Sequence, residues 1–252
     1  MSILLNGDCL EELKDLDDNS IDLIFCDLPY ATDKYSAVSC KWNTPIDLDK
    51  LWIEFMRIKK LNTPIIMTCT TKFGVSLINS CPKKCPFRYD LIWCKSAPAG
   101  FLSAKKMPMR KHEMIYVFYE KLPFYDLSSH KHKFIKEEIK DKEVYKNEHE
   151  TAYGKNIHHH NKEQKNGESI YDPALPTSLL EIKSTRGKHS TEKPVQLMEW
   201  ILKYYSKEND TILDPTMGSG SMGVACKNMN RNFIGIEKDL EIYEVAVNRV
   251  EN

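Results

Sequence analysis

Apolar residues fall into short runs separated by stretches of helical spacing. Runs at 2–5, 21–26, 64–69, 89–94, 113–119, 211–213 and 233–236 predict seven strands, each short and bounded by polar or turn-forming residues. Between them, Leu10, Leu13 and Leu16 recur at helical spacing over 9–16. Leu51, Trp52, Phe55 and Ile58 share one face of a helix predicted over 48–61. Further helices are predicted over 72–79, 194–205, 221–228 and 240–250, with Pro194 suited to a first helical position. Strands interleaved with helices in this way predict an α/β protein with a doubly wound sheet. Two stretches break the pattern. Residues 31–45 are rich in Ser, Thr and Lys and read as a loop. From about 121 to 188 the periodicity dissolves into Lys, Glu, His and Asn, most of all over 131–164, which predicts a poorly packed or mobile insertion. The expected organisation is one domain in two halves, 1–120 and 189–252, interrupted by an insertion over 121–188.

At 252 residues the chain can bury a large core, and 41% apolar with 29% charged residues suits a globular protein. The formal net charge is zero, but it is unevenly spread. Residues 95–193 carry 19 Lys and Arg against 14 Asp and Glu and hold all eight histidines; the rest carries 17 against 22. A basic middle between acidic flanks hints at a nucleic-acid partner. The first twenty residues carry acids from Asp8 onward rather than a basic start and an apolar run, so no signal peptide is expected. No apolar run approaches the roughly 20 residues of a membrane span. Of eight cysteines, Cys26, Cys69 and Cys94 lie inside strand-like runs, as reduced core thiols of a cytoplasmic protein would. Cys81 and Cys85 form one close pair with no matching second pair, so no metal site is expected.

The stretch Ile21–Tyr30, IDLIFCDLPY, carries the most chemistry. A core strand ends in Asp27, then Leu28, Pro29 and Tyr30 follow. Proline stiffens the loop and biases Leu28 towards an extended backbone. A carboxylate, fixed carbonyls and a flat ring suit a planar substrate that bears an amino group. A second stretch, TILDPTMGSGSMGVA from Thr211, reads as strand, glycine turn and helix. Gly218 and Gly220 allow close backbone approach, and the helix start offers free N–H groups. The next strand ends in Glu237, at the spacing where a carboxylate grips a ribose diol. In open α/β sheets, ligands bind at the carboxyl ends of the strands. Asp8, Asp27, Asp214 and Glu237 each follow a predicted strand there, so parallel strands would bring the four acids to one edge. Asp8 and Asp214 could equally be helix caps.

These residues resemble a family: DNA amino-methyltransferases that use S-adenosylmethionine and carry a D-P-P-Y catalytic motif. Asp27-Leu28-Pro29-Tyr30 fits its broader form. Asp214 to Gly220 resembles the F-x-G-x-G cofactor motif, His189 to Pro194 resembles H-P-T-x-K-P, and Gly7-Asp8 and Arg110-Lys111-His112-Glu113 are also similar to family segments. The order, catalytic motif first and cofactor motif last, is that of the beta class. Leu28 stands for a proline, Thr216 for a phenylalanine that touches the cofactor, and Ser190 for a proline. The resemblance implies a Rossmann-like, mostly parallel seven-stranded sheet with an inserted target-recognition region. It implies double-stranded DNA as partner, with dimers common among relatives. By resemblance, Glu237 would hold the ribose of S-adenosylmethionine, Asp8 its adenine amino group, and Lys193 with Asp214, Thr216, Gly218, Ser219 and Gly220 the rest.

The chemistry it implies is methylation of an exocyclic amine on a flipped base. Asp27 and the Leu28 carbonyl would accept its two N–H groups and free the nitrogen lone pair, while the base stacks on Tyr30. Leu28 would then act through its carbonyl, with a replaceable side chain. Tyr, not Cys, after Pro29 argues against attack at cytosine carbon 5. Asp at position 27 leans to adenine N6 over cytosine N4. Tyr35 and Trp42 could close over the base or simply pack, and the run His158–His160 reads as a solvated loop. Two other classes stay open: a catalytically silent DNA-binding relative, and a dinucleotide oxidoreductase, whose G-x-G-x-x-G string Gly218, Gly220 and Gly223 match. The latter leaves Asp27–Tyr30 unexplained.

Overall fold

The computed structural model describes residues 1–30, 45–136, 167–185 and 192–251. Tyr35, Trp42, His158–His160 and His189–Thr191 lie outside them, as do most of the predicted loop over 31–45 and the middle of the insertion. The chain divides into two compact units, one formed by Met1–Asp126 with Thr177–Asn252 and the other by Leu127–Pro176.

The larger unit is built on an eight-stranded sheet in the order β1, β10, β9, β2, β3, β5, β4, β8. The strands are β1 (Ser2–Asn6), β2 (Leu23–Cys26), β3 (Ile65–Cys69), β4 (Phe87–Ala99), β5 (Arg110–Phe118), β8 (Leu179–Leu180), β9 (Thr211–Asp214) and β10 (Asn232–Glu237). All seven predicted strands form. The eighth is the two-residue β8, too short for any periodicity to reveal, which pairs in parallel with Ile92 and Trp93 of β4. The run β1, β10, β9, β2, β3 is parallel throughout. β5 alone runs against its neighbours β3 and β4.

The described residues form six helices among and after the strands: α1 (Cys9–Glu12), α2 (Leu48–Ile58), α3 (Thr71–Ser80), α4 (Val195–Tyr205), α5 (Ser221–Asn228) and α6 (Leu240–Glu251). The helical spacing after Asp8 gives one α turn and then a 3-10 turn, Leu13–Asp15. Pro194 sits one place before the position expected; its ψ of 135° is extended, so it caps α4 instead of opening it. The face predicted for α2 is the buried one: Leu51, Trp52, Phe55 and Ile58 join Leu13, Leu77 and the sheet residues Ile24, Cys26, Ile65, Met67 and Phe118 in one core cluster. Burying a side chain of this size contributes about 1.5–3 kcal/mol. The buried thiols of Cys26 and Cys69 belong to the same cluster, whereas Cys94 is only half-buried.

The smaller unit holds a two-stranded antiparallel sheet, β6 (Lys131–Lys136) with β7 (Gly167–Asp172). Its strands mix Lys, His and Glu with a few apolar residues, so no alternation marked them in the sequence. Pairing is held by backbone bonds, by the edge-on contact of His132 with Tyr171 at 5.2 Å, and by the ion pair of Lys133 with Asp172. Among the described residues, no helix is long and apolar enough to cross a membrane.

Candidate active site

Parallel strands place their carboxyl ends on one edge, and four acids stand there: Asp8 after β1, Glu237 ending β10, Asp214 ending β9 and Asp27 after β2. β9 and β2 are direct neighbours, with Leu213 opposite Ile24. The loop Asp27–Tyr30 and the glycine turn after Asp214 therefore leave the sheet side by side, although almost 190 residues separate them.

The Asp27 carboxylate is fixed from both sides. Its Oδ2 accepts from Lys193 Nζ at 2.6 Å. Its Oδ1 accepts from the Thr68 hydroxyl and lies 3.0 Å from the Tyr30 hydroxyl. Tyr30 Oη also lies 2.8 Å from Thr68 Oγ1 and 2.8 Å from Glu113 Oε1, so one phenolic proton has three acceptors within reach. Burial, with the charges of Asp27 and Glu113, pushes the phenol far above its ordinary pKa, which keeps it a neutral donor. Its ring rests against Phe73, centroids 5.4 Å apart.

Glu113 joins the group from the antiparallel strand β5. It pairs with Lys193 at 3.1 Å and Lys95 at 2.5 Å. Burial alone would raise its pKa, but Lys193 and Lys95 outweigh that and hold the carboxyl at about 2. Lys193 is buried too, yet Asp27 and Glu113 keep its pKa raised. Two acids and two lysines thus balance in charge in one part-buried cluster. Sequence reasoning missed Glu113, Thr68 and Lys95 as site residues. Their signal was present: Thr68 is the polar member of the buried run IIMTC, and Glu113 a charge at the head of the apolar run MIYVF.

Lys193, expected on the cofactor, pairs with Asp27 and Glu113. Leu28 also differs from expectation. Its side chain is 3% exposed and sits in the core cluster, so it is a packing anchor for the loop and not a replaceable group.

On the neighbouring side, Asp214 is buried and accepts from Thr216 N–H at 3.1 Å; burial drives its pKa far up. Glu237 accepts from Gly218 N–H at 3.0 Å and Asp239 N–H at 2.9 Å, and burial raises its pKa as well. Asp8 caps α1 through Leu10 N–H at 3.0 Å and pairs with Lys238 at 2.9 Å, so the cap reading holds for it and not for Asp214. Ser219 is taken up by Arg249, whose guanidinium donates to its hydroxyl at 2.7 Å and carbonyl at 2.8 Å and also pairs with Glu192 at 2.9 Å.

This half of the site suits a cationic, nucleoside-bearing cofactor. A Cβ on Gly218 would meet no atom within 4 Å, so the turn faces open space. The buried Thr216 hydroxyl has no hydrogen-bond partner, a group that a ligand's polar atom would satisfy. Buried Asp214 and Glu237, both disfavoured as anions, would be relieved by a positive charge.

Comparison with known proteins agrees with this geometry. A family model described as DNA methylase matches residues 21–248. The chain is 30% identical to the type II methyltransferase M.HinfI of Haemophilus influenzae, over 99% of this chain and 68% of that protein. Among solved structures, it shares its fold with a complex of M1.HpyAVI and S-adenosylmethionine, at a TM-score of 0.63 and 22% identity over the whole of both chains. A cytosine-N4-specific methyltransferase, PvuII, matches at a TM-score of 0.65 and 14% identity over 98% of this chain and 86% of that one. The chain therefore belongs to the S-adenosylmethionine-dependent DNA methylases that modify exocyclic amino groups.

Proposed function

We propose that this protein methylates N6 of adenine in double-stranded DNA, with Asp27 and the Leu28 carbonyl as acceptors for the amino group. The observation that carries the proposal is the adjacency of β2 and β9, which sets the Asp27–Tyr30 loop beside the glycine turn. S-adenosylmethionine, when bound, supplies an electrophilic methyl group on a sulfonium cation. Thr216, Gly218, Asp214 and Glu237 would hold it, with Asp8 at the far side of Glu237.

The residues of the chain then act on the amine. An aromatic amine is a poor nucleophile, because its lone pair is shared with the ring. Asp27 accepts one N–H and the Leu28 carbonyl the other, which favours a pyramidal nitrogen with a free lone pair. Thr68, Tyr30 and Lys193 stop the carboxylate from rotating, so the acceptor needs no reorganisation during transfer. The methylated nitrogen carries one proton too many, and the Asp27 carboxylate is the nearest base to take it. Tyr30 offers the ring face on which a flipped base can stack. The unit Leu127–Pro176 is assigned to target recognition on its place in the chain between the two motif-bearing halves.

Adenine is favoured because position 27 is Asp. The fold shared with a cytosine-N4-specific enzyme makes N4-cytosine the second reading. The test is transfer from labelled S-adenosylmethionine to unmethylated plasmid DNA, followed by digestion to nucleosides. Label in N6-methyldeoxyadenosine is expected; label in N4-methyldeoxycytidine would replace the first reading with the second. Asp27→Asn should lower kcat by about 10²-fold or more and leave cofactor affinity within about threefold. Equal loss of both would mean that the two halves of the site are misassigned.

A further inference from the structure

The hairpin between β4 and β5 continues beyond the site. Trp93 pairs with Glu113 and Cys94 with His112, and Ala99 pairs with Arg110 after an irregular stretch. β4 runs parallel to β8 and against β5, which itself opposes β3, so β4 shares the direction of β2 and β3. Its far end therefore projects from the same sheet edge as Asp27. Residues 100–109 form the tip.

The tip is built, not frayed. Gly100 has φ +91°, a left-handed conformation open to glycine, and starts a 3-10 turn, Phe101–Ser103. Backbone bonds from Ser103 to Gly100 at 3.0 Å, Ala104 to Phe101 at 3.0 Å and Lys106 to Ser103 at 2.9 Å close it. This turn holds Phe101 and Leu102 out, 81% and 95% exposed, with Met107 and Met109 exposed behind them. Other large apolar residues are exposed, among them Ile53 and Leu122, but among the described residues none is more exposed than Leu102. The charges around the tip are of one sign. Between Cys94 and His112 the sequence has Lys95, Lys105, Lys106, Arg110 and Lys111 and no Asp or Glu. Lys105, Lys106, Arg110 and Lys111 are exposed.

We infer that this tip is a wedge for duplex DNA: Phe101 and Leu102 enter the base stack beside the target, while the lysines and Arg110 hold the flanking phosphates. The inference rests on the proposed methylation of double-stranded DNA. Apolar wedges unstack base steps at a cost of about a few kcal/mol per step, and phosphate contacts on either side offset that cost. Uniform positive charge fits a polyanion, and projection from the Asp27 edge puts the wedge where a base must leave its stack.

The test uses the full chain. The probe is a synthetic duplex with the site that the wild-type protein methylates in plasmid DNA, and the same duplex with an abasic position opposite the target base. Phe101→Ser with Leu102→Ser should lower kcat/KM on the paired duplex by about tenfold or more and recover most of the loss on the abasic duplex, where no pair must be broken. Cofactor affinity and Tm should stay at wild-type values. Lys105→Gln with Lys106→Gln should make log Kd for a 30-base-pair duplex less steep against log salt by about 2. Unchanged kcat/KM, or equal loss on both duplexes, would overturn the wedge. An unchanged salt slope would overturn the phosphate contacts. Concentration-dependent self-association lost in the Phe101/Leu102 variant, with DNA binding intact, would assign the tip to a second copy of the chain instead. A wild-type protein that methylates no DNA would sink the proposed function, and the salt slope would still decide whether the tip meets DNA.

Discussion

Glu113 holds the hub of the pocket. It touches Tyr30, Lys95 and Lys193 together. Its pKa in the fold is about 2, against an ordinary value of 4.5, so its contribution to stability is fully present above about pH 4.5 and is lost as pH falls through that interval towards 2. Glu113→Gln should therefore flatten the acid limb of a Tm-against-pH curve between pH 4.5 and 2. At pH 7 it should cost about 1–3 kcal/mol, because Lys193 and the part-buried Lys95 lose a shared counter-charge while Lys193 keeps Asp27. An acid limb identical to wild type would mean that Glu113 does not take up its proton in that interval. At this scale the sequence was uneven as a guide. Asp27 to Tyr30 could be read because the four residues are contiguous and end a core strand. Thr68 and Glu113 could not, because the contact is made only when β5 reverses and pairs Met114–Phe118 with β3. Thr68 was visible solely as a polar residue in an apolar run, and Glu113 as the end of a family-like segment with no role attached to it.

At the scale of elements, the glycine turn separates conformation from space. Gly218 and Gly220 both have positive φ, +52° and +81°. Beside Gly218 a Cβ meets nothing, while beside Gly220 it would lie 3.0 Å from Val250 and 3.2 Å from Ala246 of α6. Gly220→Ala should cost about 1–3 kcal/mol from strain and crowding together, seen as a lower Tm. Gly218→Ala should cost only about 1 kcal/mol in stability yet weaken S-adenosylmethionine binding more strongly, because its new methyl occupies the open cradle. The reverse ranking in calorimetry and cofactor titration would place the ligand elsewhere. Element types were legible because strand and helix periods alternate cleanly from Ser2 to Tyr30, from Leu48 to Leu77 and again from Val195. Lengths were less so: β4 runs on through Lys95–Ala99, a stretch without period that is shaped by its partner strand and not by its own sequence.

For the whole molecule, the parallel sheet explains why distant motifs in the sequence make one site. The topological rule needs only strand direction, and the interleaved helices supplied that. It does not say which of the edge acids will be neutralised by lysines. That was decided by the segment ahead of α4, which sends Lys193 across to Asp27 and Glu113 and away from the glycine turn.

Arg249 bears on how the two halves work together. One guanidinium holds Ser219 of the glycine turn and Glu192, the residue next to Lys193. On the proposed function, loading of the turn and seating of the target base would share a mechanical path, and such a path would make the two binding events thermodynamically reciprocal: whatever factor the cofactor lends to DNA affinity, DNA must lend to cofactor affinity. Arg249→Lys, which keeps the charge but loses the fork that spans both partners, should shrink this mutual factor towards one while each ligand still binds alone. Paired titrations, each ligand with and without the other, would read it directly, and an unaltered factor would place the linkage elsewhere in the sheet edge.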